Sequence, residues 1–168
     1  MSRGEPPPRR HASIDFGAHA NRHEWPPILY AVTAAAGLAL ERFLPLASDW
    51  VPAYLRILGA AAAVLALALA VTALLGFRHA GTPVRPTARA ENLVASGVYR
   101  RTRNPMYLSA VVAYAGFGLA WPALWFVVLA AAMARALDRL AIRREERHLE
   151  ERFGEAYRRY RAEVPRWL

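Results

Sequence analysis

"ILGAAAAVLALALAVTALLGF", Ile57 to Phe77, runs for 21 residues without a charge. As a helix rising ~1.5 Å per residue, it covers the ~30 Å hydrocarbon core of a bilayer. Soluble helices of that length carry a polar face, and this stretch has none. Further along, Asn104 to Ala134 gives 31 more uncharged residues, too many for one ordinary span, broken by Trp121 and Pro122. A proline at that point reads as the joint of a helical hairpin. Upstream, "WPPILYAVTAAAGLAL", Trp25 to Leu40, opens on two prolines suited to a first helical turn and runs into Glu41 and Arg42. The expected fold is all-α: a polytopic membrane protein with about four transmembrane helices, near 26–44, 54–77, 106–121 and 123–142, followed by a cytoplasmic tail, 143–168, with an amphipathic helix.

Charge supports that reading and orients it. With 55% hydrophobic residues and a net charge of +9, the chain is either a basic soluble domain or a small membrane protein, and the distribution of charge decides. The connection 78–105 carries Arg78, Arg85, Arg89, Arg100, Arg101 and Arg103, the turn from Pro45 to Pro52 only Asp49, and the turn at Trp121 nothing. The positive-inside rule places both termini and the long connection in the cytoplasm, for a protein of the inner or plasma membrane. Residues 1–24, rich in proline, arginine and histidine and without helical periodicity, read as a flexible tail and not a signal peptide. The rest, 25–168, reads as one membrane domain.

Several chemistries are excluded at the outset. There is no cysteine, so no disulfide, thiolate zinc site or thiol nucleophile. His19 and His23 have the helical spacing of metal ligands but lie in the tail, so no metal site is expected. All 22 basic residues are arginine, which reads first as genome bias. No glycine-rich turn joins a strand to a helix, so any nucleotide-like cofactor must be held by helices. Lipids and a lipophilic small molecule, not nucleic acid, are the expected partners.

The charged residues gather at two places that this topology brings to one face. The first is "GVYRRTRNPMYLSA", Gly97 to Ala110, where arginines and tyrosines adjoin an apolar helix with proline at its start. The second is the end of the last span, where Arg135, Arg139, Arg143 and Arg147 recur every four residues and stack on one side of a helix. Arg135 and Arg139 read as side chains snorkelling to headgroups, while Arg143, Glu145 and Glu146 can form a pocket for both anionic and cationic groups. The plainer reading of Glu145, Glu146, Glu150 and Glu151 is a solvated helix face. In the tail, Phe153, Tyr157, Tyr160 and Val164 at three- and four-residue spacings predict an amphipathic helix on the membrane interface, with Trp167 as its anchor.

"SGVYRRTRNPMYLS" together with "EERHLEERFGEAYRRYRAEVPRWL" resembles the integral membrane methyltransferases that include isoprenylcysteine carboxyl methyltransferases and phospholipid methyltransferases. The resemblance covers Glu91 to Leu168. It implies S-adenosylmethionine as cofactor, held by Tyr99, Arg103, Asn104, Pro105 and Tyr107 on one side and by Glu145 and Glu146 on the other. Many relatives have histidine where this chain has Asn104. The family's tail also closes the cofactor pocket. Glu146 or Glu145 would serve as base for an amine acceptor, and Arg143 would orient an acceptor carboxylate or phosphate. The implied activity is methyl transfer to a lipophilic acceptor, a prenylcysteine-like carboxylate or a lipid amine. Two alternatives stand beside it: a membrane reductase of the sterol-reductase type using a nicotinamide cofactor, and a non-enzymatic protein binding anionic lipid or a partner. Gly116 and Gly118 match a glycine pair of phospholipid methyltransferases, though small residues in a membrane helix also serve close packing.

Overall fold

The computed structural model describes residues 25–46, 48–79 and 92–168. The tail 1–24, with His19 and His23, and Arg85 and Arg89 of the connection lie outside them. Among the described residues the structure is all-α, without strands: α1 (Trp25–Phe43), α2 (Ala53–His79), a 3₁₀ turn (Gly97–Arg100), α3 (Pro105–Ala120), α4 (Leu124–Leu137), a π-helical turn (Asp138–Ile142), α5 (Arg143–Phe153) and α6 (Glu155–Glu163).

One of these helices, α2, is by itself long and apolar enough to cross a membrane. Its 27 residues turn leucines, valines and isoleucine outward, with Ile57 69% and Leu67 66% exposed. Apolar surface of that extent on a helix with no polar face is of the kind that lipid covers. The apolar helix α3 is shorter, at 16 residues, and α4 has 14 before the π turn continues it. The expected joint between them is present: Trp121 N–H donates to the Phe117 carbonyl and Ala123 N–H to that of Gly118, while the Trp121 ring stacks on Phe117.

Glycines let the helices meet. A Cβ on Gly59 would lie 2.6 Å from Leu119 Cβ and 2.7 Å from the Gly116 carbonyl, and one on Gly116 would lie 2.7 Å from the Gly59 carbonyl. α2 and α3 therefore touch backbone to backbone. Gly118 faces Phe126, Val127 and the Ala123 carbonyl. The glycine pair of α3 thus serves helix packing.

α1 is tied to α4 at the end remote from the two charged motifs. Glu41 Oε1 accepts the Trp125 backbone N–H at 2.7 Å, and the Trp125 indole donates to the Leu44 carbonyl, also at 2.7 Å. Glu41 thus caps the positive end of α4 from another helix. Glu41→Ala is expected to lower stability by about 1 kcal/mol, with Glu41→Gln losing less, as read from melting in detergent.

The tail departs from its expected place. Tyr157, Tyr160 and Val164 are buried and pack with Leu93, Leu149 and Phe153, with Tyr157 only 1% exposed. The apolar stripe of α6 is therefore covered by protein and does not lie on a bilayer. Gly154, at φ +52°, makes this possible, because the left-handed backbone there folds α6 back beside α5. Trp167 likewise packs against the cluster of Tyr107, Met133, Leu137, Ala141 and Ile142.

The arginine stack is also altered. The π turn adds a residue to one helical turn, so Arg143 comes to lie over Asp138, five positions earlier, and donates to its Oδ2 at 3.0 Å. A strict four-residue stack of Arg135, Arg139, Arg143 and Arg147 requires an uninterrupted α-helix, which this segment is not.

Candidate active site

The α3 N-terminus, the end of α2, the start of α1 and α5 surround one cavity of ≈ 180 Å³, well above the ~10–15 Å³ that one water needs. Tyr99, Arg103, Asn104, Pro105, Tyr107 and Glu145 all line it, beside Pro26, Pro27, Tyr30, Phe77 and Met106. Six of the residues singled out in the sequence are thus brought together. Glu146 and Arg143 are not among the lining residues.

Local structure explains each placement. Pro105 occupies the first turn of α3, where a missing N–H costs nothing. Ahead of it the chain is held by the Thr102 hydroxyl, which accepts the Asn104 N–H at 3.2 Å and donates to the Arg166 carbonyl at 3.1 Å. The Asn104 side-chain amide donates to that same carbonyl at 3.1 Å, and Arg103 N–H to the Pro165 carbonyl at 3.0 Å. Residues 165–166 therefore form a strap across the turn before α3. Asn104 does its work here through an amide donor, with no ionisable ring involved.

Glu146 lies beneath this strap. Its Oε1 accepts from Arg103 Nη1 at 2.7 Å and Arg166 Nε at 3.0 Å, and its Oε2 accepts from Arg166 Nη2 at 2.6 Å. Arg166 reaches on to Asp138 Oδ1 at 2.8 Å. A buried carboxylate that accepts three charge-assisted bonds from two guanidinium groups is an anchor for them. Arg143, in turn, is committed to Asp138 on the outer side of the π turn.

Glu145 has the opposite environment. Its Oε2 accepts the Tyr107 hydroxyl at 3.0 Å, and its remaining open surface faces the cavity. Burial raises its pKa well above the usual carboxylate value, the Tyr107 hydrogen bond opposes the rise, and the neighbouring Glu146 adds to it. Opposite stands Tyr99, 5% exposed, whose backbone carbonyl accepts from the Tyr160 hydroxyl at 2.7 Å and whose pKa is raised by burial and then by Glu145. Two buried polar atoms of this lining have no hydrogen-bond partner: the Tyr99 hydroxyl and Arg103 Nε. Unpaired buried donors are costly, and their place in residues that line a cavity marks that lining for a ligand.

The sequence model of the family described as phospholipid methyltransferase matches residues 54–156, more than half of the chain. The chain belongs to that family. The match is to the membrane methyltransferases that the two charged motifs resemble, and it extends back over α2. An uncharacterized protein of Haemophilus influenzae is 36% identical over 69 residues, 38% of this chain and the whole of that protein. No solved structure matches the chain. Within this phospholipid methyltransferase family member, sequence reasoning missed Tyr30, Thr102 and Arg166. Thr102 carried a usable signal, a hydroxyl just ahead of a helix start. Arg166 carried none, being one arginine among 22.

Proposed function

We propose that the chain is a four-span integral membrane methyltransferase that binds S-adenosylmethionine from the cytoplasmic side and methylates a lipophilic acceptor reaching the cavity from the bilayer. Membership of the methyltransferase family and the lipid-seeking surface of α2 support the class and the setting. The cofactor assignment rests on one observation: Tyr99 and Arg103, whose hydroxyl and Nε are buried without a partner, line a single cavity with Glu145. Two donors ask for an anion and one carboxylate asks for a cation, which is the complement of a carboxylate, an ammonium and a sulfonium on one small molecule.

When bound, S-adenosylmethionine supplies an electrophilic methyl on a sulfonium. Arg103 and Tyr99 would hold its carboxylate near the positive end of α3. Glu145, steadied by Tyr107, would hold the cation or take a proton from an amine acceptor, as one of the two glutamates expected to act as base. The rings of Tyr30, Tyr99 and Phe77 offer faces to positive charge. Pro26, Pro27 and Met106 keep water out, which matters for a transfer that disperses charge. Glu146 keeps a supporting part by fixing Arg103.

Titration calorimetry of the chain in nanodiscs, with S-adenosylmethionine, its demethylated product and a reduced nicotinamide dinucleotide as comparison, tests the cofactor. Saturable binding of the first two is expected; binding of the dinucleotide alone would replace this reading with the reductase one.

Glu145→Gln separates function from stability. A carboxyl whose pKa is raised by folding binds more protons folded than unfolded, so it costs stability as pH climbs from the ordinary value of 4.5 through its folded value. Removing it is expected to raise the melting temperature at neutral pH while weakening cofactor affinity by roughly tenfold or more, the loss of one charge-assisted hydrogen bond. Equal affinity in the two proteins would remove Glu145 from the site.

A further inference from the structure

On the far side of the Glu146 clamp lies a second groove of ≈ 410 Å³, lined by Ala131, Ala134, Arg135, Asp138, Arg143, Arg166 and Trp167. Three guanidinium groups here surround one carboxylate. Asp138 is buried and gives one oxygen to Arg143 and the other to Arg166, so its capacity is taken up by two of the three. Arg135, on the last turn of α4, is exposed and makes no ion pair among the described residues. Arg166 is also held by Glu146 through Nε and Nη2, so the unbalanced positive charge of the groove is that of Arg135, whose planar fork is suited to phosphate oxygens.

The floor decides what kind of phosphate. Ala131 and Ala134 leave room below the arginines on the flank of the apolar helix α4, and the Trp167 indole forms one wall. An apolar approach, an arginine rim and an amphipathic ring at the end of a membrane helix match the depth of a lipid headgroup. From this geometry we infer that the groove between the end of α4, the π turn and the Arg166–Trp167 strap holds the phosphate of an anionic phospholipid, at a site separate from the methyl-transfer cavity. The inference rests on the membrane setting of α4 and not on methyl transfer.

The full chain, purified from nanodiscs of equal phosphatidylglycerol and phosphatidylcholine, is examined by native mass spectrometry for lipid that stays bound in detergent. Wild type is expected to keep one phosphatidylglycerol with at least fivefold preference, and Arg135→Gln with Arg143→Gln to bring the two lipids to parity. Arg139→Gln with Arg144→Gln removes the same charge from exposed arginines outside the groove and is expected to keep the preference. Arg135→Gln alone, which removes no hydrogen bond from the described fold, guards against misfolding and is expected to lose preference by half or more. Equal losses in both double variants would mean diffuse attraction and overturn the site. Saturable binding of glycerol 3-phosphate with the same arginine dependence, without retained phosphatidylglycerol, would assign it to a soluble phosphate and overturn the lipid. A chain that stays in solution without detergent would overturn the membrane setting as well, whereas an inserted chain with no preference would overturn this site alone.

Discussion

Arg103→Ala is expected to weaken S-adenosylmethionine binding by roughly 30- to 100-fold, about 2–3 kcal/mol, because a buried charge-assisted donor is lost from the cavity. The same substitution also acts on the fold. Arg103 and Glu146 pair at 2.7 Å with side chains only 10% and 11% exposed, and removing one partner of a buried pair ordinarily costs ~3–5 kcal/mol. Glu146 keeps Arg166 on both oxygens, so a smaller loss of about 1–3 kcal/mol is expected here. Arg103→Lys distinguishes the two effects. An ammonium can still neutralise Glu146, but it has no second nitrogen to leave facing the cavity. Stability should return in part and affinity should not. Full affinity in Arg103→Lys, measured by calorimetry, would mean that Arg103 supports the site without touching the cofactor.

The largest loss of stability is expected from Gly116→Val, at ~3 kcal/mol or more, with Gly59→Val alike. In both cases the new side chain meets backbone within 2.7 Å, and backbone cannot swing aside as a flexible side chain can. The helices would have to part, and lipid does not drive them back together as water drives soluble helices. Loss of a monodisperse peak in detergent and a lower unfolding midpoint are the measurements. Gly97→Ala is the matching control: its φ of +59° disfavours alanine by ~1–2 kcal/mol, but no atom lies within 4 Å of the new Cβ. If Gly116→Val were no worse than Gly97→Ala, the close approach of α2 and α3 would not contribute to holding the fold.

What was legible beforehand follows from the range of the interactions involved. The uncharged run from Ile57 to Phe77 announces α2 because a helix that must be apolar all round writes its environment into consecutive residues. Pro105 and the Trp121–Pro122 joint are equally local, since proline acts on its own turn. Six lining residues of the cavity could be named because they fall in two short motifs. The division of labour between Glu145 and Glu146 was not legible. It depends on an extra residue in the π turn, and on Arg166 coming from 20 positions away to occupy one of two adjacent, chemically identical carboxylates. Nor could the period of Tyr157, Tyr160 and Val164 say what covers them. A buried aromatic stripe and a membrane-resting one have the same spacing, and only the backbone turn at Gly154 decides between them.

The strap of residues 165 and 166 also sets an order in time. These residues leave the ribosome after every helix they fasten, and a chain folds from its N-terminus as it is made. The helices can therefore be in place while the turn before α3 still lacks the carbonyls that hold Thr102, Arg103 and Asn104, and while Glu146 lacks its second arginine. A chain stopped before Pro165 would be an assembled bundle without its strap, so the proposed cofactor affinity would report on synthesis of residues 165 and 166 where insertion alone would not.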